Sequence, residues 1–376
     1  MSAPPEQRTD PAEILRLCIV GGSMRHRGGV EAFCARALAA IDAHAPQVSA
    51  TWVYADTAYL GLSGLGRFLG RLRQIWRMRR SVDVVWVQVS NLPDLAFLLL
   101  LGSGPARVLA TPHFGSNSRL QSRGWRRATC RRALGLADRL GLLFDDQSRE
   151  IDLPPQVPCE TIGTMLPRSA CSRTELSPNA KPGSLRLVHA ARFSEGKGSF
   201  AMVDLCARLK ATGYPFQARL IGRADQATMT RLTSAIATAG IGEQVEVIAW
   251  LDEAAMQQAL READVLVHLS RLDSFPLIVL EAQAAGALPL IRPMTGGKAM
   301  VEAFGGYVLE ERDAVSDSDA ARTGAAWLVS TPLEEIRANG AAARARVRDA
   351  YAWPAVVSNL MEVIRRTLAG ESRREG

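Results

Sequence analysis

Lysine is nearly absent: only four of the 45 basic residues in this 376-residue chain are lysines, and the rest are arginines. Aromatic residues are sparse, at 6%. No two of the six cysteines stand in C-x-x-C spacing, so the commonest zinc and dithiol signatures are missing. Cys18, Cys34, Cys130, Cys159, Cys171 and Cys206 fall mostly in apolar segments and read as small core residues in a reducing compartment. The longest pure apolar run is Leu95 to Leu101, well short of the roughly twenty residues of a membrane-spanning helix. The opening MSAPPEQRTDPAEI has neither the basic start nor the apolar run of a signal peptide. These absences predict a cytoplasmic protein that is neither a disulfide scaffold nor a membrane bundle.

What is present is ordinary globular composition, 47% hydrophobic and 22% charged. At about 100–200 residues per domain, the length suggests two domains, each able to bury a core. The net charge of +7 is unevenly spread. Residues 60–139 hold fourteen arginines against Asp83, Asp94 and Asp138, a local charge of +11 that leaves −4 for the remainder. Such a basic region suits nucleic acid, an anionic membrane or an acidic substrate, or is a solvated helix face.

Short β-rich runs alternate with helical patterns twice along the chain. Strands are predicted at Leu15–Val20, Val48–Tyr54, Val82–Val89, Arg107–Thr111 and Leu140–Phe144, with helices between them. The polar, proline-containing stretch Met165–Gly183 reads as a linker. Strands then resume at Leu185–Ala190, Gln217–Ile221, Val245–Ala249, Val265–Leu269 and Leu288–Ile291. The pattern predicts an α/β protein with two parallel-sheet domains over 1–168 and 184–350, followed by a terminal helical segment, 351–376. Open parallel sheets bind ligands at the carboxyl ends of their strands, so a cleft between two of them is the expected site. A dinucleotide-binding fold would need G-x-G-x-x-G after its first strand, and Gly21-Gly22-Ser23-Met24-Arg25-His26 does not match.

Two segments carry chemistry. In SRLDSFPLIVLEAQAAG, Ser270 to Gly286, a helix begins at Pro276 directly after a strand. The free N–H groups of Leu277 and Ile278 would make an anion site. Glu281, one turn on and on the same face, suits ribose hydroxyls beside a phosphate. Asp273, in the loop before the helix, suits sugar hydroxyls. In LVHAARFSEGKG, Leu187 to Gly198, Arg192 and Lys197 place two cations after another strand. Held near a helix start, they would neutralise a leaving diphosphate. Asp317-Ser318-Asp319 has the form of a metal-binding D-x-D but no strand before it, and reads as a helix start. No other metal-ligand spacing occurs, so neither a metal nor a cofactor is expected.

At these residues the chain resembles glycosyltransferase family 4, the glycosyl transferases group 1, which are retaining enzymes of the GT-B fold. The resemblance rests on Ala191-Arg192-Phe193 through Lys197-Gly198, on Leu220-Ile221-Gly222, and on the acidic pair Asp273 and Glu281. Ala285-Gly286-Ala287-Leu288-Pro289 follows, and Gly28-Gly29-Val30-Glu31 and Thr111-Pro112-His113 are similar to the family's first glycine loop and strand-end histidine. It implies that Arg192 and Lys197 hold the diphosphate, Glu281 the ribose and Asp273 the donor sugar. Gly28 or Gly29 would let backbone approach the phosphates, His113 would face the sugar and acceptor, and Phe275 to Ile278 would add backbone contacts. It further implies a final helix, after Pro354, that crosses back to the first domain. Asp273 departs from the family's usual glutamate by one methylene, which bears on sugar preference. The implied activity is metal-independent transfer of a sugar, a hexose, from a nucleotide diphosphate sugar to a glycan or lipid-linked acceptor with retention, in polysaccharide biosynthesis. The rivals are a nucleotide-sugar 2-epimerase on the same fold and a non-catalytic partner subunit.

One further pattern concerns partners. In GRFLGRLRQIWRMRR, Gly66 to Arg80, Phe68, Leu69, Leu72, Ile75 and Trp76 fall on one helical stripe flanked by arginines. This suits a sheet-covering helix and equally a basic interfacial helix on the inner face of the cell membrane. Nucleic acid is not expected, because no reader motif or stacking platform accompanies the charge.

Overall fold

The computed structural model describes residues 14–370, apart from 24–27, 58–59, 61–63, 103, 123, 172–182 and 274. The polar N-terminal segment and the middle of the predicted linker lie outside the described residues. The first half runs β1 (Leu15–Val20), α1 (Gly29–His44), β2 (Val48–Val53), α2 (Leu65–Met78), β3 (Val84–Val89), α3 (Leu95–Leu101), β4 (Arg107–Pro112), α4 (Gly124–Leu134), β5 (Arg139–Leu142), α5 (Gln147–Glu150) and β6 (Cys159–Thr161). The turn α6 (Arg168–Cys171) leads into β7 (Leu185–Ala190), α7 (Ser199–Ala211), β8 (Phe216–Ile221), α8 (Gln226–Thr238), β9 (Val245–Ile248), α9 (Glu253–Glu262), β10 (Val265–His268), α10 (Leu277–Ala285), β11 (Leu288–Ile291), α11 (Thr295–Phe304) and β12 (Tyr307–Val308). Three helices end the chain: α12 (Asp317–Ser330), α13 (Leu333–Ala350) and α14 (Trp353–Ala369).

The strands form two six-stranded sheets, ordered β2-β1-β3-β4-β5-β6 and β12-β11-β10-β7-β8-β9, and every pairing is parallel. A parallel sheet carries helices on both faces, so its inner strands are apolar throughout rather than alternating. All six residues of β3, VVWVQV, are buried, whereas the edge strand β2 alternates. Asp225, Asp252 and Ser316 cap α8, α9 and α12 by accepting the N–H three residues on, which ends the preceding loops sharply.

Two features differ from the sequence reading. The strands β6 and β12, of three and two residues, carry too little periodicity to be seen in the sequence. The start of the predicted linker is not solvated: Met165, Leu166 and Ala170 are buried, the first against α14 and the others against the core around α10. The terminal helix α14 packs on the first sheet, where Trp353, Val356, Val357, Leu360, Met361, Val363 and Ile364 join a core with Leu17, Ile19, Trp86 and Leu109. Burying each large apolar side chain there contributes about 1.5–3 kcal/mol. Among the described residues no helix is long and apolar enough to cross a membrane. Cys18, Cys34, Cys130 and Cys206 are buried and unpaired, and burial pushes the Cys18 thiol up to about 11.

Candidate functional site

Each sheet reverses its strand order once, between β1 and β3 in the first and between β7 and β10 in the second. Loops leaving such strands part above the sheet and open a crevice. The cationic loop follows β7 and the acidic loop follows β10, so both sequence motifs meet at the second crevice. Their approach depends on Gly198, at φ 78°, where a β-carbon would lie 2.5 Å from the Leu269 carbonyl oxygen. Only glycine fits so close to the backbone at the end of β10 in that left-handed conformation.

Lys197 Nζ donates to one oxygen of Asp273, and the other oxygen takes Nε2 of His268 at 3.0 Å. His268 is almost fully buried at the end of β10. Burial pushes the Asp273 carboxyl up, but hydrogen bonds and charge from His268 and Lys197 outweigh it and hold the group below the usual carboxylate range. Asp273 is thus a fixed carboxylate at the rim of the crevice. His268 is a residue the sequence reading missed. Only its place five residues before Asp273, at a strand end, could have signalled it. Arg192 is exposed on the same loop, and its charge adds a minor part to the lowering of the Asp225 carboxyl, which is due first to hydrogen bonds from Thr228.

The helix α10 starts at Leu277, with Pro276 in the extended N-cap position, one residue earlier than the helical position expected of it. Leu277 and Ile278 are the first two helical residues, so their N–H groups have no preceding turn to donate to. Opposite them stands the start of α1. Gly28 is its N-cap, and a β-carbon on Gly29 would lie 3.9 Å from Leu277 Cδ1. The starts of two helices from different sheets therefore lie close together, and a helix start carries the positive end of the dipole. Phe275 closes one side by stacking on Phe144, with ring centroids 5.1 Å apart and planes 2° from parallel.

Glu281 lies deeper. Arg36 Nη1, from α1, donates to its Oε1 at 2.7 Å, and Gln257 Nε2 lies 3.5 Å from its Oε2. Burial pushes the Glu281 carboxyl up, and the Arg36 guanidinium opposes that. Burial likewise works against the charge on Arg36, and Glu281 and Glu253 outweigh it. No local pattern signals this contact, which joins positions 245 residues apart.

His113 follows β4 on the first-sheet side. Its Nε2 meets Gln88 Oε1 at 2.8 Å and its ring stands edge-on to Phe33, 4.9 Å away. Burial pushes its pKa down to about 3 from an ordinary 6.5. The imidazole is therefore neutral at working pH and serves as a hydrogen-bonding group rather than a cation. In an NMR titration the His113 ring signals should stay flat between about pH 5 and 8. Because the folded state excludes this proton, its contribution to stability is complete above the ordinary value and is lost as pH falls toward the folded one. A chemical-shift step centred near 6.5 would contradict the assignment.

The D-x-D stretch is a helix start, as its sequence suggests, but not a purely solvated one. Ser316 and Asp319 form a capping box, and Asp317 accepts from the buried Arg292 at 2.8 Å. Among the described residues no group of three or more His, Cys, Asp or Glu is placed to hold a metal ion.

Comparison with known proteins bears on the fold. Residues 174–338 match the family described as Glycosyl transferases group 1. The amylovoran biosynthesis glycosyltransferase AmsK of Erwinia amylovora is 27% identical over 138 residues, a match spanning 35% of this chain and 33% of that protein. Among solved structures, HepE of Anabaena, in complex with UDP and glucose, superposes with a TM-score of 0.69 at 14% identity, over 93% of this chain and 99% of that one. A sucrose-phosphate synthase of Thermosynechococcus elongatus gives 0.71 at 17% identity, over 95% and 100%. At such identities the likeness is one of fold. The chain has the GT-B fold, and most of its second domain matches the model of the glycosyl transferases group 1.

Proposed function

We propose that this protein is a retaining glycosyltransferase that moves a sugar from a nucleotide diphosphate sugar to an acceptor hydroxyl. The observation that carries the reading is the convergence, at one crevice, of Lys197, the fixed carboxylate Asp273 and the unpaired start of α10. The diphosphate would lie against the N–H groups of Leu277 and Ile278, with Lys197 and Arg192 beside it and the Gly28–Gly29 turn opposite. Its negative charge grows as the bond from the sugar's anomeric carbon to the diphosphate oxygen breaks. Prearranged cations and dipoles stabilise that growth in the transition state. The acceptor oxygen bonds to the same carbon from the same face, and its proton leaves with the diphosphate. Asp273 would hold sugar hydroxyls, Glu281 the ribose, and neutral His113 the sugar or acceptor.

The fold neighbour crystallised with UDP and glucose makes UDP-hexoses the first donors to test. The acceptor is proposed to be a glycan or lipid-linked precursor, in keeping with the curated relative's part in amylovoran biosynthesis and with the basic first domain. Incubation with UDP-, GDP- and ADP-sugars over an acceptor panel tests the reading. Nucleoside diphosphate should be released only with acceptor present, at a rate unchanged by EDTA, because Lys197, Arg192 and the helix start supply the positive charge. Epimerised donor in the absence of acceptor, or activity lost in EDTA and restored by Mg²⁺ or Mn²⁺, would overturn it.

A further inference from the structure

Glu281 sits on the second sheet's α10, yet its strongest partner comes from the first domain. Arg36 lies two turns into α1. Its guanidinium forks, with Nη1 donating to Glu281 Oε1 at 2.7 Å and Nε donating to Glu253 Oε2 at 3.0 Å. Arg36 and Glu281 are each less than a tenth exposed, whereas the Glu253 side chain is half exposed at the start of α9. The fork therefore ties three helices, one from the first domain and two from the second. Its effect on Glu281 is asymmetric. Oε1 is fully engaged, while Oε2 has only the long 3.5 Å approach of the Gln257 amide. A carboxylate held this way keeps one strong acceptor position for an incoming hydroxyl. Both oxygens of a freely rotating carboxylate would instead be interchangeable, and ordering one on binding costs entropy.

We propose that Arg36 is a positioning residue for the donor: from the first domain it fixes the Glu281 carboxylate so that Oε2 receives a ribose hydroxyl. This rests on the proposed ribose role of Glu281 and adds a consequence. Recognition of the sugar of the nucleotide is complete only when the two domains are together, whereas the diphosphate contacts from Lys197 and Leu277 belong to the second domain alone. A guanidinium suits the task because its planar fork presents donors to two carboxylates in fixed directions, whereas the three donors of an ammonium rotate.

The test is calorimetric. The probe is whichever of UDP, GDP and ADP raises the melting temperature most, paired with its 2′,3′-dideoxy form. The unmodified protein should prefer the ribose form by at least about tenfold, the size expected of a hydrogen bond to a charged acceptor. Both Arg36→Met and Glu281→Gln should bring that preference to within about threefold, and the double variant should lose no more than the worse single one, as coupled positions do. Preference lost in Glu281→Gln but kept in Arg36→Met would overturn the proposal and spare the ribose role of Glu281. Preference kept in both, or no binding of any of the three diphosphates, would remove both readings. Tighter binding by Arg36→Met would mean that Arg36 competes with the ribose, which also overturns it. If Arg36→Met fails to fold, Arg36→Lys decides: preference should fall, and full preference in that variant ends the idea. A purely structural tie would lower the melting temperature of either variant without moving the ribose-to-dideoxy ratio.

Discussion

Replacing Lys197 with alanine should lower kcat about a hundredfold while leaving a folded protein, the magnitude typical of removing one prearranged group that stabilises developing anionic charge. Two losses combine in this variant. The diphosphate loses a cation, and Asp273, which accepts from both Lys197 and His268, keeps only the histidine. The carboxylate would then be freer to turn away from the sugar. Lys197→Arg should recover part of the rate by restoring charge without the geometry of the ammonium contact. Arg192→Ala should cost less, about tenfold, because Arg192 is exposed and its field is weakened by solvent. Steady-state kinetics, with melting temperature as the control for folding, are decisive. Unchanged turnover in a folded Arg192→Ala/Lys197→Ala double variant would refute the diphosphate assignment.

The second large effect is expected at the outer face of α2. The structure splits the apolar stripe read from the sequence. Phe68, Leu72 and Ile75 pack into the first-sheet core, whereas Leu69 and Trp76 are about half exposed, as is Leu65. At 100° per residue, Leu65, Leu69, Trp76, Arg73 and Arg77 share an arc of about 120° on the outer side, and the exposed Arg80 follows the helix end. Arg71, counted with the basic face in the sequence, belongs elsewhere, since its guanidinium reaches Asp56 at 3.4 Å. The adjoining α3 and α4 add the exposed Leu99 and Trp125. Apolar side chains framed by arginines suit an anionic bilayer surface, where each cation adds about 1 kcal/mol. Arg73→Gln, Arg77→Gln and Arg80→Gln together should therefore weaken binding to phosphatidylserine-containing vesicles by about a hundredfold. Flotation at low and high salt measures it. Equal recovery on neutral and anionic vesicles would leave α2 a solvated cover for the sheet.

The difference between these two sites shows what the amino-acid pattern could carry. Both crevice motifs were legible because each is local: a strand, a short loop and a helix start bring Asp273 near Leu277, and Arg192 near Lys197, within a dozen residues. The alternation of strands and helices was legible for the same reason, apart from two strands too short to show a period. Arg36 was invisible, since nothing in GVEAFCARALAA reveals that one arginine meets a carboxylate 245 positions away. The splitting of the α2 stripe was equally hidden. A helical period fixes the angle between side chains, but not how wide an arc the neighbouring strands cover. The buried start of the linker was masked by the polarity of the residues that follow it.

The placement of α14 also sets an order of assembly on the ribosome. The core that Leu17, Trp86 and Leu109 share is closed by Trp353 through Ile364, so the domain translated first is the last to be finished. At about 5–20 residues per second, the part of this face that α1 leaves open waits roughly ten to forty seconds between the end of β6 and the end of α14. The second domain, complete once α13 has emerged, is ready before the first. During that interval the nascent chain exposes the apolar residues that α14 later covers, and a chain ending before α14 is expected to leave the first domain uncapped.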